Sequence, residues 1–319
     1  MLDTHRELDL SLPHDPTREP PEPPKLGAKM PTLEALRALA GHCIDSIAFH
    51  APFVRRRGGI EDVHRMRVAV RRLRAVLSVF RRALGGGKLA FEEDLSWLQD
   101  KLGAVRDWDV LRQGSIQPVL NGTASAKVAP VDEAGEVARD DAYRELCTAL
   151  DSRRCAALWS EIALWHGDLA AGPAAHDRLD WPVRKYARRE LRRRARKLHR
   201  RGRRIAALDG TELHKLRIGA KKLRYATEFF ADLFAGKPTK KTVQGLAGLQ
   251  DLLGGMNDSR TAQHLLDRIA TVPAERDAAV PVALGAGLIE GMVLARRTVG
   301  RRQLERSWRR YDKAAKAWD

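Results

Sequence analysis

The sequence predicts an all-α fold made of two homologous antiparallel helical halves, and three observations predict it. Apolar residues recur at helical spacing from about residue 31 to the end, with no run of alternating β-branched residues. Breakers cut this pattern into helix-length pieces: Gly58-Gly59, Gly85-Gly86-Gly87, Gly103, Asn121-Gly122, Gly172-Pro173, Gly202, Asp209-Gly210, Gly236 with Pro238, and Gly254-Gly255. Two stretches 150 residues apart then spell nearly the same helix, VHRMRVAVRRLRAVLSVF (63–80) and LHKLRIGAKKLRYATEFF (213–230).

Taken in chain order, residues 1–30 come first. Their prolines (Pro13, Pro16, Pro20, Pro21, Pro23 and Pro24) predict an extended or disordered arm. The arm has no basic segment followed by an apolar run, so it is not expected to be a secretory leader. The 63–80 helix carries two faces. With His64 at zero and 100° per residue, Arg67, Arg71 and Arg74 fall at about 300°, 340° and 280°, forming one stripe with it. Met66, Val70, Leu73, Leu77 and Phe80 lie on the other side and form the core stripe. Arg65 and Arg72 sit on a flank. Few acids within the segment are available to offset the cations by i,i+4 pairing.

The repeat continues with one residue of slip. LSWLQDKLGAVRDWDVL (95–111) answers LAGLQDLLGGMNDSRTA (246–262), with Gly103 opposite Gly254 and Asp107 opposite Asp258. Each Asp follows a glycine breaker and precedes new apolar periodicity, so both are expected to be helix N-caps rather than catalytic acids. The halves join near GDLAAGPAAHDRLDWP (167–182). Next comes a third basic segment, VRKYARRELRRRARKLHRRGRRI (183–205), with Arg194 and Arg201 beside a narrow apolar line of Ala187, Leu191, Ala195, Leu198 and Ile205. The second copy repeats the stripe with His214, Arg217, Lys221 and Arg224, and its flank with Lys222. Short connections make each half an up-down bundle. Packed about a pseudo-twofold axis, the matching basic faces would line one shared groove.

Composition points the same way. Lys and Arg number 58 against 41 Asp and Glu, a formal +17 that favours polyanions: nucleic acid, anionic lipid or condensed phosphate. The three cysteines, Cys43, Cys147 and Cys155, make no redox or zinc spacing and fit a reducing cytoplasm. The longest uncharged apolar run, AAVPVALGAGLI (278–289), is too short for a membrane span. No P-loop, HExxH, CxxC, EF-hand or Gly-x-Ser-x-Gly motif occurs in the sequence, so neither a cofactor nor catalysis is expected. Aromatics make up 6% and hardly interleave with the basic runs, Tyr186 and Tyr225 excepted, which disfavours stacking on single-stranded bases. A histidine inside a cationic stripe is expected to have a depressed pKa, which a bound polyanion would raise again.

At these residues the sequence resembles a known family. VHRMRVAVRRLR and LHKLRIGAKKLRY resemble the two signature helices of the CHAD domain, the conserved histidine α-helical domain. LGAVRDWDVL and LGGMNDSRTA resemble its following signature, ALRALAGHCIDSI (35–47) its first helix, and LERSWRRYDKAAKAW (304–318) its last. The resemblance implies two four-helix bundles related by a pseudo-twofold axis around a basic groove. It implies binding of long-chain inorganic polyphosphate, association with polyphosphate granules, and no catalysis by this domain alone. Some relatives carry a triphosphatase domain with an alternating-glutamate metal site, and this sequence has none. One departure is Asn257 where the first half has Arg106.

The expected organisation is an arm at 1–30 and a CHAD domain at 31–318, with halves at about 31–168 and 180–318. The expected polyphosphate-binding residues are His64, Arg67, Arg71, Arg72, Arg74, Arg194, Arg201, His214, Arg217, Lys221, Lys222 and Arg224. Inorganic polyphosphate is the expected partner, with no membrane. A non-specific nucleic-acid-binding protein is the alternative, and a Mg²⁺-dependent polyphosphate-processing enzyme a more distant one.

Overall fold

A computed structural model describes residues 19–57, 59–122, 124–171, 178–234, 236–271, 276–296 and 301–315. The first half contains α1 (Thr32–Arg55), α2 (Ile60–Phe80), α3 (Glu92–Leu111), a π-turn (Arg112–Ile116), α4 (Gln117–Leu120), α5 (Ser125–Leu150) and α6 (Arg153–Ala171). The second contains α7 (Val183–Gly202), α8 (Gly210–Phe229), α9 (Lys237–Thr271), α10 (Arg276–Arg296) and α11 (Arg301–Ala314). Among the described residues the β pairing is a single isolated bridge between Pro31 and Pro182.

The starts of α1 and α7 hold each other through that bridge. Thr32 N donates to Trp181 O (2.9 Å) and Val183 N donates to Met30 O (2.8 Å). Each proline precedes the first helical residue, where its fixed φ suits helix entry. At the start of α8, Asp209 and Glu212 form a capping box: Glu212 N donates to the Asp209 carboxylate (2.7 Å), and Asp209 N to the Glu212 carboxylate (3.0 Å).

The halves share their main core rather than each enclosing its own. One continuous cluster runs from Leu36 and Ile47 of α1 through Leu73 of α2 and Leu98 of α3 to Leu191, Leu223, Leu249 and Tyr311 in the second half. Phe80 and Phe230, matching residues of the repeated helices, touch edge to face with ring centres 5.9 Å apart. Buried hydroxyls tie helices together: Tyr143 of α5 donates to Val54 O of α1 within the first half (2.6 Å), and Tyr186 of α7 donates to Val79 O of α2 between the halves (2.8 Å). A second core forms where α10 lies against α5, with Trp108, Val131, Leu265 and Ile289 inside.

Two expectations change. Helices α3 and α9 run straight through Gly103 and Gly254-Gly255, so Asp107 and Asp258 lie inside helices and cap neither. A glycine inside a helix costs only about 1 kcal/mol relative to alanine, which packing of Leu98, Leu102, Val105 and Trp108 outweighs. Residues 1–18 of the expected arm lie outside the described residues. From residue 19 to 27 the chain has no regular secondary structure, and Leu26 is buried in the main core.

Helix α11 closes the second half on glycines. The Trp308 ring occupies the place a Cβ of Gly202 would take, and a Cβ at Gly245 would lie 2.9 Å from Tyr311 Cα. His199 Nδ1 and Asp312 Oδ1, 2.5 Å apart, pin the same contact. Gly202→Ala is expected to cost about 1–3 kcal/mol, since the indole cannot shift without moving α11. Urea unfolding at equilibrium measures it.

Candidate anion-binding site

The repeated helices α2 and α8 pack against each other, α3 packs on α2 and α9 on α8, and cations of the two repeats come within each other's field. Arg67 and Arg71 come from α2, and Arg217 and Lys221 from α8. Their fields overlap: Arg71 and Arg67 both act on Lys221, and Arg71 acts on Arg217. Burial, then Arg217, Arg71 and Arg67, push the Lys221 ammonium down to about 8. Arg67 and Arg217 are likewise lowered, burial being the main cause for each.

Aromatic residues of α8 lie under the arginines of α2. The Arg71 guanidinium lies 5.6 Å from the centre of the Tyr225 ring, and that of Arg72 lies 5.5 Å from the centre of Phe229. The Nε atoms of Arg67, Arg71 and Arg72 are buried with no hydrogen-bond partner among the described residues. An unmet buried donor on a charged group is costly, and an anion that supplied oxygens there would remove that cost. Gly103 lies beside Arg67: a Cβ there would stand 3.7 Å from Arg67 Nε, an ordinary van der Waals contact.

Two acids sit among these cations. Asp107 of α3 and Asp258 of α9 are the repeat equivalents read from the sequence as caps. Asp107 is raised by burial, lowered by Arg67 and raised again by Asp258. Asp258 also supports the charge on Arg217 and Lys221. The pair therefore offsets part of the cationic field from behind. Arg106, noted in the sequence only as a departure, acts on His64, Arg67 and Asp107 and belongs to the site. His64 is half-buried and lowered, by burial first and Arg106 second. Burial is thus the larger cause, ahead of the stripe's charge.

The structure sorts the other candidates. His214, the counterpart of His64, is exposed, and Arg74 is half-buried. Arg72 turns toward His42 and Cys43 of α1 and toward Phe229. Its counterpart Lys222 lies instead beside Arg194, Lys197 and Arg201, away from Arg67 and Arg71, and is lowered mainly by burial. Arg224 donates to Glu228 (2.6 Å) and Gln250 (3.0 Å). Arg194 is placed differently from expectation: only 8% exposed, it donates to Glu190 (2.6 Å) and to Ser78 O of α2 (2.7 Å). It ties α7 to α2. Both acids stand four residues from their arginines, so the expectation of few i,i+4 partners does not hold for these two.

The lowered Lys221, pushed down to about 8, predicts a pH dependence for anion binding here. An anion that raised its pKa would bring a proton with it above that pH, and affinity is expected to fall by up to about tenfold per unit until the bound-state pKa. Lys221→Arg is expected to flatten the profile between pH 7 and 10 while keeping the affinity, as titration calorimetry in two buffers would show.

These features define a class: an all-α protein with a duplicated helix motif whose two copies bring half-buried cations close together. The chain belongs to the CHAD domain family, which matches residues 38–267, more than half its length. The crystal structure of the CHAD domain from the plant Ricinus communis is similar over 93% of this chain and 97% of its own, with TM-score 0.78 and 28% identity. PptA from Streptomyces chartreusis shares the fold, with TM-score 0.60 and 17% identity over 90% of this chain and 100% of its own. No curated protein matches the sequence. No helix among the described residues is long and apolar enough to cross a membrane.

Proposed function

We propose that this protein binds long-chain inorganic polyphosphate along the seam between α2 and α8, without turning it over, and that it associates with polyphosphate granules. The observation that carries this reading is the set of buried, unpartnered guanidinium nitrogens on Arg67, Arg71 and Arg72 beside the destabilised ammonium of Lys221. Such a site is assembled at a cost in the free protein and is relieved by a ligand with many oxygens and high negative charge density. The family's association with polyphosphate supports it. Guanidinium forks suit phosphate oxygens. A thin, flexible chain enters a seam between two helices where a duplex, wider than either helix, does not.

The test is a competition at about 0.15 M salt, where exposed charges are largely screened. Labelled long-chain polyphosphate is displaced by unlabelled polyphosphate and by duplex DNA. Polyphosphate is expected to win strongly; equal competition by DNA would move the nucleic-acid reading ahead. The Asp107–Asp258 pair favours one other reading, a Mg²⁺-dependent phosphoryl transfer, because carboxylates beside a phosphate site are what such metals require. Orthophosphate release from polyphosphate with added Mg²⁺, abolished in Asp107→Asn, would establish it.

A further inference from the structure

The turn between α7 and α8 carries a second concentration of positive charge, outside the central seam. A pocket of about 380 Å³ there is lined by Arg200, Arg201, Arg203, Arg204 and Lys215, with Glu212 and Leu208. Glu212, the acid of the pocket, is already engaged by its capping box with Asp209. Arg201 Nη1 donates to Lys215 O (3.1 Å), which fixes one wall. Arg200, Arg203 and Arg204 are exposed and form no ion pair among the described residues.

The first half provides an internal control. Its corresponding turn, between α1 and α2, also carries consecutive arginines; Arg55 and Arg57 are matched by acids, and Arg56 is exposed without an ion pair among the described residues. Arg55 pairs with Asp151 (2.8 Å) and donates to Leu150 O (2.9 Å), and Arg57 lies 3.7 Å from Asp140 and over the Tyr143 ring. The second turn leaves three exposed arginines, Arg200, Arg203 and Arg204, without an acid among the described residues, where the first leaves one.

Charge connects this pocket to the centre. Lys197, on the surface of α7, is lowered chiefly by Arg201. Lys222 on α8 feels Arg194, Lys197 and Arg201. Positive side chains thus run from Lys222 by way of Lys197 and Arg201 to the turn.

We propose that the α7–α8 turn is a second phosphate site that takes a stretch of condensed phosphate leaving the central seam. This rests on the polyphosphate reading above and adds a chain-length requirement: only a ligand long enough to reach both sites gains from the outer one. The first half, with two of its three turn arginines already paired, gives the track one favoured end.

The test uses the full chain with tripolyphosphate and with long-chain polyphosphate. Lys215 is the reporter, its acetylation by an amine reagent followed by mass spectrometry. Long-chain polyphosphate is expected to protect Lys215 and tripolyphosphate, at concentrations that fill the seam, to leave it reactive. Arg203→Ala/Arg204→Ala is expected to weaken long-chain binding about tenfold at 0.15 M salt, from two lost strand contacts, and to leave tripolyphosphate binding unchanged. Unprotected Lys215 under saturating long-chain polyphosphate, or wild-type affinity in the double variant, would overturn the proposal. So would equal protection by duplex DNA. If Arg71→Ala/Lys221→Ala binds like wild type while Arg203→Ala/Arg204→Ala does not, the central reading fails and the outer site stands. The reverse pattern removes the outer site alone.

Discussion

Arg71→Ala/Lys221→Ala is expected to lower the affinity for long-chain polyphosphate by roughly 10²–10⁴-fold, since each hydrogen bond to a charged group contributes about 1.5–3 kcal/mol. The pair is chosen because the two side chains come from opposite halves and act on each other across the seam. Neither is tied to an acid in the way that Arg194 is tied to Glu190 or Arg224 to Glu228. Their loss therefore strands no buried carboxylate, and the effect falls on the ligand. Stability separates this from general damage. A lysine whose folded pKa is about 8, below its unfolded value near 10.4, opposes folding fully below pH 8 and ceases to do so as pH rises toward the unfolded value. The unfolding temperature of Lys221→Ala, relative to wild type, is thus expected to be more favourable at pH 7 than at pH 10. A variant that loses affinity and also loses stability equally at both pH values would show that Lys221 holds the fold rather than the ligand.

The stripe was legible because two independent regularities agree on it. Helical spacing separates Arg67 and Arg71 from Val70 and Leu73, and the 150-residue repeat marks the same positions in α8. What spacing cannot show is where each cation ends. Glu190 stood four residues before Arg194 in plain view, but Ser78 O, which makes burial of that arginine tolerable, comes from a helix more than a hundred residues away. The acids failed for another reason. A glycine before an aspartate is a sound cap signal in isolation, yet packing on α2 and α5 carries α3 through Gly103. The equivalence of halves also has limits. Arg72 and Lys222 match in sequence but meet different neighbours, because Phe229 lies under one and α7 cations surround the other. The aromatic floor of the site, Tyr225 and Phe229, belongs to the second half and holds arginines of the first, a relation that no reading within one repeat contains.

Raising salt from 50 to 200 mM is expected to weaken polyphosphate binding by roughly 10³–10⁵-fold if about six to ten phosphates are contacted, by analogy with duplex DNA. The central seam supplies Arg67, Arg71, Arg72, Arg106, Arg217 and Lys221, enough for the lower end of that range. The upper end requires cations beyond it, which Lys222, Arg201 and the α7–α8 turn could provide. The slope of log affinity against log salt thus counts the track. Within it the buried part behaves differently, since contacts already withdrawn from water are screened less than exposed ones. Removing Arg203 and Arg204 is expected to reduce the slope by about 1.4, twice the single-strand value per contact. Removing Arg71 and Lys221 is expected to reduce affinity by more than its change in slope accounts for, because those two also relieve unmet donors and a suppressed charge. Equal ratios of affinity loss to slope change for the two pairs would mean that the seam acts as surface charge alone, and burial of its arginines would then have no part in recognition.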